Sequence, residues 1–175
     1  PNTYQINIDA NGEEILQVLI DELENVTSRL LSENSLPEWL NTYTEFFTVA
    51  SLVEAESKLQ EDRPLVSSVV KNRLEDEMLI QIDATVLYAL QKRKSQVLLV
   101  DLQVDSVYNT YKYTGLPPTP ISGFGERSLQ AVLDTPKNDY LYYLLTDKNG
   151  KMSFTSDYTD FINMKNKAKE EGVIP

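Results

Sequence analysis

The run 46-FFTVASLVEAESKLQ-60 constrains the folding of this chain more than any other stretch. It follows 42-TYTE-45, a Thr-x-x-Glu pattern in which the threonine hydroxyl accepts from the main chain one turn on while the glutamate reaches back. That pattern starts a helix, and a helix this apolar belongs in the core, covered by other elements. Two carboxylates, Glu54 and Glu56, nevertheless sit inside it. Residues two apart on a helix point about 200° away from each other, so the two do not form a paired-carboxylate dyad.

Their neighbours separate them further. Glu54 has Lys58 four residues ahead, the favourable order for a surface ion pair on a helix. Glu56 has Leu52 and Val53 behind it and Leu59 ahead, with no cation four residues away on either side. A carboxyl group held against aliphatic side chains is desolvated and its pKa rises, which is how an enzyme keeps a carboxylic acid protonated near neutral pH. Most glutamates on amphipathic helices are solvated, so the local pattern makes Glu56 a candidate and no more.

Helical spacing recurs on both sides of this run. Leu16, Leu19, Ile20, Leu23, Val26 and Leu30 place a helix over 13–31, after Asn11 and Gly12, with a loop at 32–37. Asp62, followed by Arg63 and Pro64, reads as the cap of a helix with Val66, Val69, Val70 and Leu74 on one face. A further helix follows Asp83 through residue 92. The stretch 97–125, rich in β-branched residues, Tyr, Pro and Gly, reads as strands and long ordered loops of the kind that line clefts. A short helix near 126–134 comes next. Residues 140–146 and 151–156, joined by 147-DKNG-150, read as a β-hairpin, and 158–171 as a polar, frayed helix. No repeat or linker divides the chain. The expected fold is one α+β domain over residues 1–175, mostly helical with a small hairpin.

Composition narrows the chemistry. The 175 residues include no cysteine and no histidine, which removes disulfides, thiolate nucleophiles, histidine bases and most zinc or redox-metal sites. Catalysis is left to carboxylates, lysine, tyrosine or serine. With 27 acidic residues against 16 basic and a net charge of −11, the surface repels nucleic acid and anionic headgroups. No apolar run approaches the roughly eighteen residues of a membrane span, and there is no signal peptide. The start at Pro1 reads as a piece excised from a longer protein.

The segments 50-ASLVEAES-57, 63-RPLVSSVVKNRL-74, 79-LIQIDATVLYAL-90, 106-SVYNTYKYTGLPPTPIS-122 and 140-YLYYLL-145 together resemble the YceG-like endolytic murein transglycosylases, which are bacterial cell-wall enzymes. The resemblance runs through nearly the whole chain, from 2-NTYQ-5 to the C-terminal helix. It implies a lytic transglycosylase catalytic domain whose essential acid is the second glutamate of a Ser-Leu/Ile-Val/Ile-Glu-x-Glu motif, here Glu56. Ser57 beside it is similar to the Glu-Ser pair of the wider lysozyme-like transglycosylases. Gln81 and the Tyr108–Asn109 pair fall in the order of the Gln and Tyr-Asn motifs of those enzymes. A lysozyme-like arrangement around the catalytic helix is thereby implied.

The implied reaction cleaves the bond between N-acetylmuramic acid and N-acetylglucosamine, with the substrate's own C6 hydroxyl as nucleophile. One carboxyl group then serves as acid and afterwards as base, with no metal and no cofactor. Gln81, Tyr108 and Asn109 would position the N-acetyl group. Asp83 matches the family's Leu-Gln-x-Asp-Pro-Thr-Val segment and reads equally as a helix cap or as a substrate contact. Tyr111 and Tyr113 read as sugar-stacking or as packing residues. Ser57, Gln81, Asp83, Tyr108, Asn109 and Tyr111 are thus the expected substrate-binding set around Glu56.

Some positions depart from the family. Ala84 replaces a proline, 123-GFG-125 replaces an Asn-Pro-Gly, and Met152 and Phe161 stand where histidines are frequent. The resemblance further implies peptidoglycan glycan strands and cell-wall synthesis proteins as partners, and no nucleic acid. The parent protein would be anchored at the extracytoplasmic face of the bacterial cell membrane, with a LysM-like subdomain upstream, and would meet the membrane only through that anchor. A non-catalytic glycan-binding scaffold is the alternative. An older label for such sequences, aminodeoxychorismate lyase, would require pyridoxal phosphate. The chain has no phosphate-cradling glycine loop, and Lys71 and Lys92 fall on polar helix faces.

Overall fold

The computed structural model describes residues 3–32, 34–92, 94 and 96–174. Asn2 of the 2–5 segment, Glu33 of the 32–37 loop and the terminal residues of the 1–175 span lie outside that set. In chain order the elements are α1 (Gly12–Ser32), α2 (Tyr43–Glu56), α3 (Arg63–Glu75), α4 (Asp83–Leu90), a one-turn 3₁₀ helix (Asp101–Gln103) and α5 (Glu126–Leu133). The hairpin strands β1 (Tyr142–Leu145) and β2 (Met152–Thr155) follow, and then α6 (Tyr158–Glu170). The architecture is α+β and mostly helical, as expected.

Helix α2 forms the centre, and α3, α4 and α5 pack around it. Phe46, Val49, Ala50, Leu52 and Val53 have no exposed surface. Its start is the expected box: Thr42 Oγ1 accepts from Glu45 N at 3.1 Å. The reciprocal bond runs from Asn41 N to Glu45 Oε2, one residue earlier than the simple pattern. The helix is shorter than its apolar run, because Ser57 leaves it in an extended conformation, with φ −108 and ψ 124. Glu56 is therefore the last helical residue.

The ends of the neighbouring helices also depart from the local pattern. Asp62 stands at the N-cap of α3 but makes no capping bond with its side chain; it reaches across to accept from Met152 N at 2.9 Å. Asp83 is the first residue of α4, and Ile82 holds the N-cap position. In α1 only Val26 and Leu30 pack against the central cluster, whereas Leu16, Leu19 and Ile20 are exposed.

Residues 97–125 form turns and the 3₁₀ helix, with no strand among them. The backbone there bonds to side chains instead of to a partner strand. Asn109 Nδ2 donates to Leu102 O at 2.9 Å and Val104 O at 2.8 Å, while its Oδ1 accepts from Tyr111 N at 3.0 Å. Thr110 ties this loop to the start of α4: its carbonyl accepts from Gln81 N, and its hydroxyl accepts from Ile82 N at 3.0 Å.

The hairpin falls inside its expected limits, with Tyr142 opposite Thr155 and Tyr143 opposite Phe154. Gly150, at φ +100, takes a backbone conformation that glycine adopts without steric cost. The final helix is docked where fraying was expected. Asp157 caps it through Asp160 N at 2.8 Å, and Phe161 stacks on Tyr142 with ring centroids 5.4 Å apart. Among the described residues no helix is long and apolar enough to cross a membrane.

Candidate functional site

Glu56 stands where α2 ends. The helix's last turn carries no basic residue, so the partial negative charge of its free carbonyls disfavours a carboxylate there. The side chain is packed among protein atoms yet not sealed, since the residue keeps intermediate exposure. Tyr143 Oη donates to Glu56 Oε2 at 2.8 Å. Burial raises the Glu56 pKa from the ordinary 4.5 to about 7; the Tyr143 hydrogen bond opposes the rise and the nearby Asp83 charge adds to it. A carboxyl group in this state holds a proton near neutral pH, can give it up, and can take it back.

Glu54, on the same helix, has the opposite fate. It accepts from Arg63 Nη1 and Nη2 at 3.1 and 3.2 Å, from Ser128 Oγ at 2.7 Å and from Gly125 N at 3.1 Å. Burial pushes its pKa up, but the Ser128 hydroxyl, the Gly125 N–H and the Arg63 guanidinium outweigh it and hold the carboxyl below its ordinary value. The partner is Arg63, not the Lys58 expected from spacing. The reason is geometric: helical i,i+4 neighbours need a helix that continues, and α2 stops at Glu56.

The other expected site residues divide into two groups. Asp83 is exposed, and its Oδ1 accepts from Tyr111 Oη at 2.6 Å. Burial and that Asp83 contact push the Tyr111 hydroxyl well above its usual pKa, and the Glu56 charge adds to the rise. Gln81, also exposed, sits two residues before Asp83 with a left-handed backbone at φ +57. Asp83 and Tyr111 lie close enough to Glu56 for their charges to act on one another, whereas the Gln81 side-chain oxygen faces Arg73 Nη1 at 3.5 Å.

Ser57, Tyr108 and Asn109 are occupied elsewhere. The Ser57 hydroxyl, in a residue 3 % exposed, donates to Leu59 O at 2.8 Å. Asn109 has no exposed surface and spends its amide on the loop backbone. Tyr108 lies 4.8 Å from the Tyr88 ring and shares a hydrogen bond with Thr119. Tyr113 is bonded to Asp105 at 2.6 Å.

Tyr143 was not singled out by sequence reasoning. Six aromatic or aliphatic residues in a row, 140-YLYYLL-145, precede the hairpin turn, and successive side chains of a strand point to opposite faces. The alternation says that Tyr142 and Tyr143 diverge; it does not say which one meets Glu56. A groove of about 1160 Å³ lies elsewhere, lined by Leu19, Leu23, Glu54, Arg63, Phe124 and Arg127 among others, and Glu56 is not part of its wall. Among the described residues no group of three or more His, Cys, Asp or Glu side chains is arranged to hold a metal ion.

The pattern of the YceG-like family matches residues 1–167. The chain belongs to that family. It is 40 % identical over 172 residues to an endolytic murein transglycosylase of Bacillus subtilis, covering 98 % of this chain and 46 % of the relative. It is 31 % identical over 169 residues to an endolytic murein transglycosylase of Streptococcus pneumoniae, covering 91 % of this chain and 30 % of that protein. The chain thus spans less than half the length of these curated relatives. A crystal structure of a YceG-like protein from Listeria monocytogenes superposes with a TM-score of 0.81 at 38 % identity, covering 94 % of this chain and 53 % of the other.

Proposed function

We propose that this chain carries the catalytic centre of an endolytic lytic transglycosylase, with Glu56 as the single acid and base. The observation that carries the reading is the state of Glu56: a partly accessible carboxyl group with a pKa raised to about 7 and a Tyr143 hydroxyl on one oxygen. The names of the family relatives point to the same chemistry.

In the proposed reaction, protonated Glu56 donates to the oxygen between N-acetylmuramic acid and N-acetylglucosamine as that bond breaks. The carboxylate left behind keeps its hydrogen bond from Tyr143, so the same contact that opposes the raised pKa stabilises the charged form when it appears. Glu56 then accepts the proton of the muramic C6 hydroxyl, which closes on C1 to give a 1,6-anhydro end. The half-buried Tyr111 and exposed Asp83, joined beside Glu56, together with the exposed Gln81 on the same segment, would meet the N-acetyl group. Peptidoglycan glycan strands are the proposed substrate, at the extracytoplasmic face of the cell membrane, alongside cell-wall synthesis proteins.

A second reading arises from Asp83, a further carboxylate close enough to raise the Glu56 pKa. With a water as nucleophile and Asp83 as its base, the same site would hydrolyse the bond and leave reducing ends. Mass spectrometry of digested peptidoglycan separates the two. The transglycosylase reading expects 1,6-anhydro-muramyl ends from the unaltered chain and none from Glu56→Gln. Reducing ends abolished by Asp83→Asn would favour hydrolysis, and undiminished cleavage by Glu56→Gln would sink both.

A further inference from the structure

Arg73 lies in the last turn of α3 with 7 % of its surface exposed. Among the described residues no carboxylate lies within ion-pairing distance of it. A buried cation without a counter-ion is costly, and this one is compensated entirely by neutral groups. Its donors go to backbone carbonyls of two stretches far apart in sequence, and Nη1 also faces the Gln81 side-chain oxygen at 3.5 Å. Nε donates to Leu141 O at 2.7 Å, and Nη1 donates to Ile80 O at 2.7 Å and Leu79 O at 3.2 Å. The Tyr142 ring covers the guanidinium, with Cζ 5.5 Å from its centroid.

The two stretches are the ones that flank Glu56. Leu141 is two residues before Tyr143, whose hydroxyl is on Glu56. Ile80 precedes Gln81 and stands three residues before Asp83, which holds Tyr111. The neighbouring Asn72 already ties α3 to the same strand entry, donating to Tyr140 O at 2.8 Å and Asn138 O at 3.1 Å. A neutral amide therefore suffices to anchor the hairpin. What Arg73 adds is a rigid planar fork spanning both stretches, and a positive charge beside the phenols of Tyr111, Tyr142 and Tyr143.

We infer that Arg73 is a positioning residue for the Glu56 centre, its guanidinium fixing the separation of the Tyr143 strand from the Gln81–Asp83 segment so that the Tyr143 hydroxyl stays on Glu56. It acts through Tyr143 and not by direct contact. The groups that face Glu56 are Tyr143 from β1 and Asp83 from α4. Behind them stand Tyr111 from the loop and Arg73 from α3. A positive charge near a phenol makes its hydroxyl a better donor, so the contact strengthens as Glu56 becomes a carboxylate. The inference rests on the reading of Glu56 as the proton donor.

The test is a carboxyl ¹³C NMR titration of Glu56 in the whole chain, assigned by Glu56→Gln, with Arg73→Lys, Tyr143→Phe and the double variant. Tyr143→Phe is expected to raise the Glu56 pKa by about one pH unit, the scale of a lost hydrogen bond to a charged acceptor. Arg73→Lys keeps the charge but not the fork, and is expected to recover at least half of that rise. The double variant should match Tyr143→Phe alone, since both act on one contact. An unmoved Glu56 titration in Arg73→Lys, or additive effects in the double variant, would overturn the inference. If Arg73→Lys unfolds, the same titration is run on Arg73→Gln; loss of the fold in both assigns Arg73 to stability alone and overturns it as well. Failure of the transglycosylase reading would appear separately, as peptidoglycan cleavage indifferent to Glu56→Gln.

Discussion

Replacing Glu56 by glutamine should make the folded chain more stable at pH 8 and leave it unchanged at pH 4. The folded carboxyl titrates at about 7 against an ordinary value of 4.5. Between those values the folded state holds a proton that the unfolded chain has released, so stability falls as pH rises through that window. Above pH 7 both states are ionised and the full penalty is present. At 1.36 kcal/mol per pKa unit this is about 3 kcal/mol. Glutamine stays neutral at every pH and its side-chain oxygen still accepts from Tyr143, so the substitution removes the penalty and little else. For a chain of this length about 3 kcal/mol corresponds to a Tm rise of roughly 8 °C. Urea denaturation of both proteins from pH 4 to pH 8 measures it. The difference should be near zero at the acid end and open between pH 5 and 7. A flat difference across that range, or a Glu56→Gln chain less stable at pH 8, would refute the idea that burial holds the Glu56 proton.

Two further substitutions test the supporting structure. Glu54→Gln should lose about 2 kcal/mol of stability at pH 7, less than a sealed charge pair would, because the Glu54 and Arg63 side chains are 23 % and 13 % exposed. Glu54 titrates below its ordinary value, so the loss should shrink as pH falls below about 4.5; urea midpoints equal to those of the unaltered chain at pH 7 would contradict the network. Asn109→Ala should cost about 2 kcal/mol, since two carbonyls and one N–H lose partners in a half-buried loop. Hydrogen exchange at the Tyr111 amide should accelerate in parallel. Unchanged stability with lost peptidoglycan cleavage would return Asn109 to a substrate-binding role.

Much of the fold was legible in local signals. The Thr42–Glu45 box, the apolar spacing of α3 and the Asp-Lys-Asn-Gly turn each act within a few residues, and each produced the expected element. The failures share a cause. The residues of 97–125 have strand-forming side chains, yet a strand needs a partner, and Asn109 and Thr110 took up the backbone bonds first. The pairing of Glu54 with Lys58 assumed a helix that runs on, and α2 ends before Lys58.

The contrast between the two glutamates shows where the boundary lies. Their spacing on a helix was enough to say that Glu54 and Glu56 face different surroundings, and the aliphatic neighbours of Glu56 were enough to make it the candidate acid. Those are local facts, set by helical geometry and by residues within one turn. The protonation states were decided by groups brought together through folding. Glu54 is charged because Ser128, Gly125 and Arg63 converge on it from α5 and α3. The Glu56 pKa is raised because packed protein atoms displace water around it, while its hydrogen-bond donor Tyr143 comes from 87 residues away. Desolvation and hydrogen-bond convergence are properties of a volume of space, and only the tertiary structure says which side chains share it.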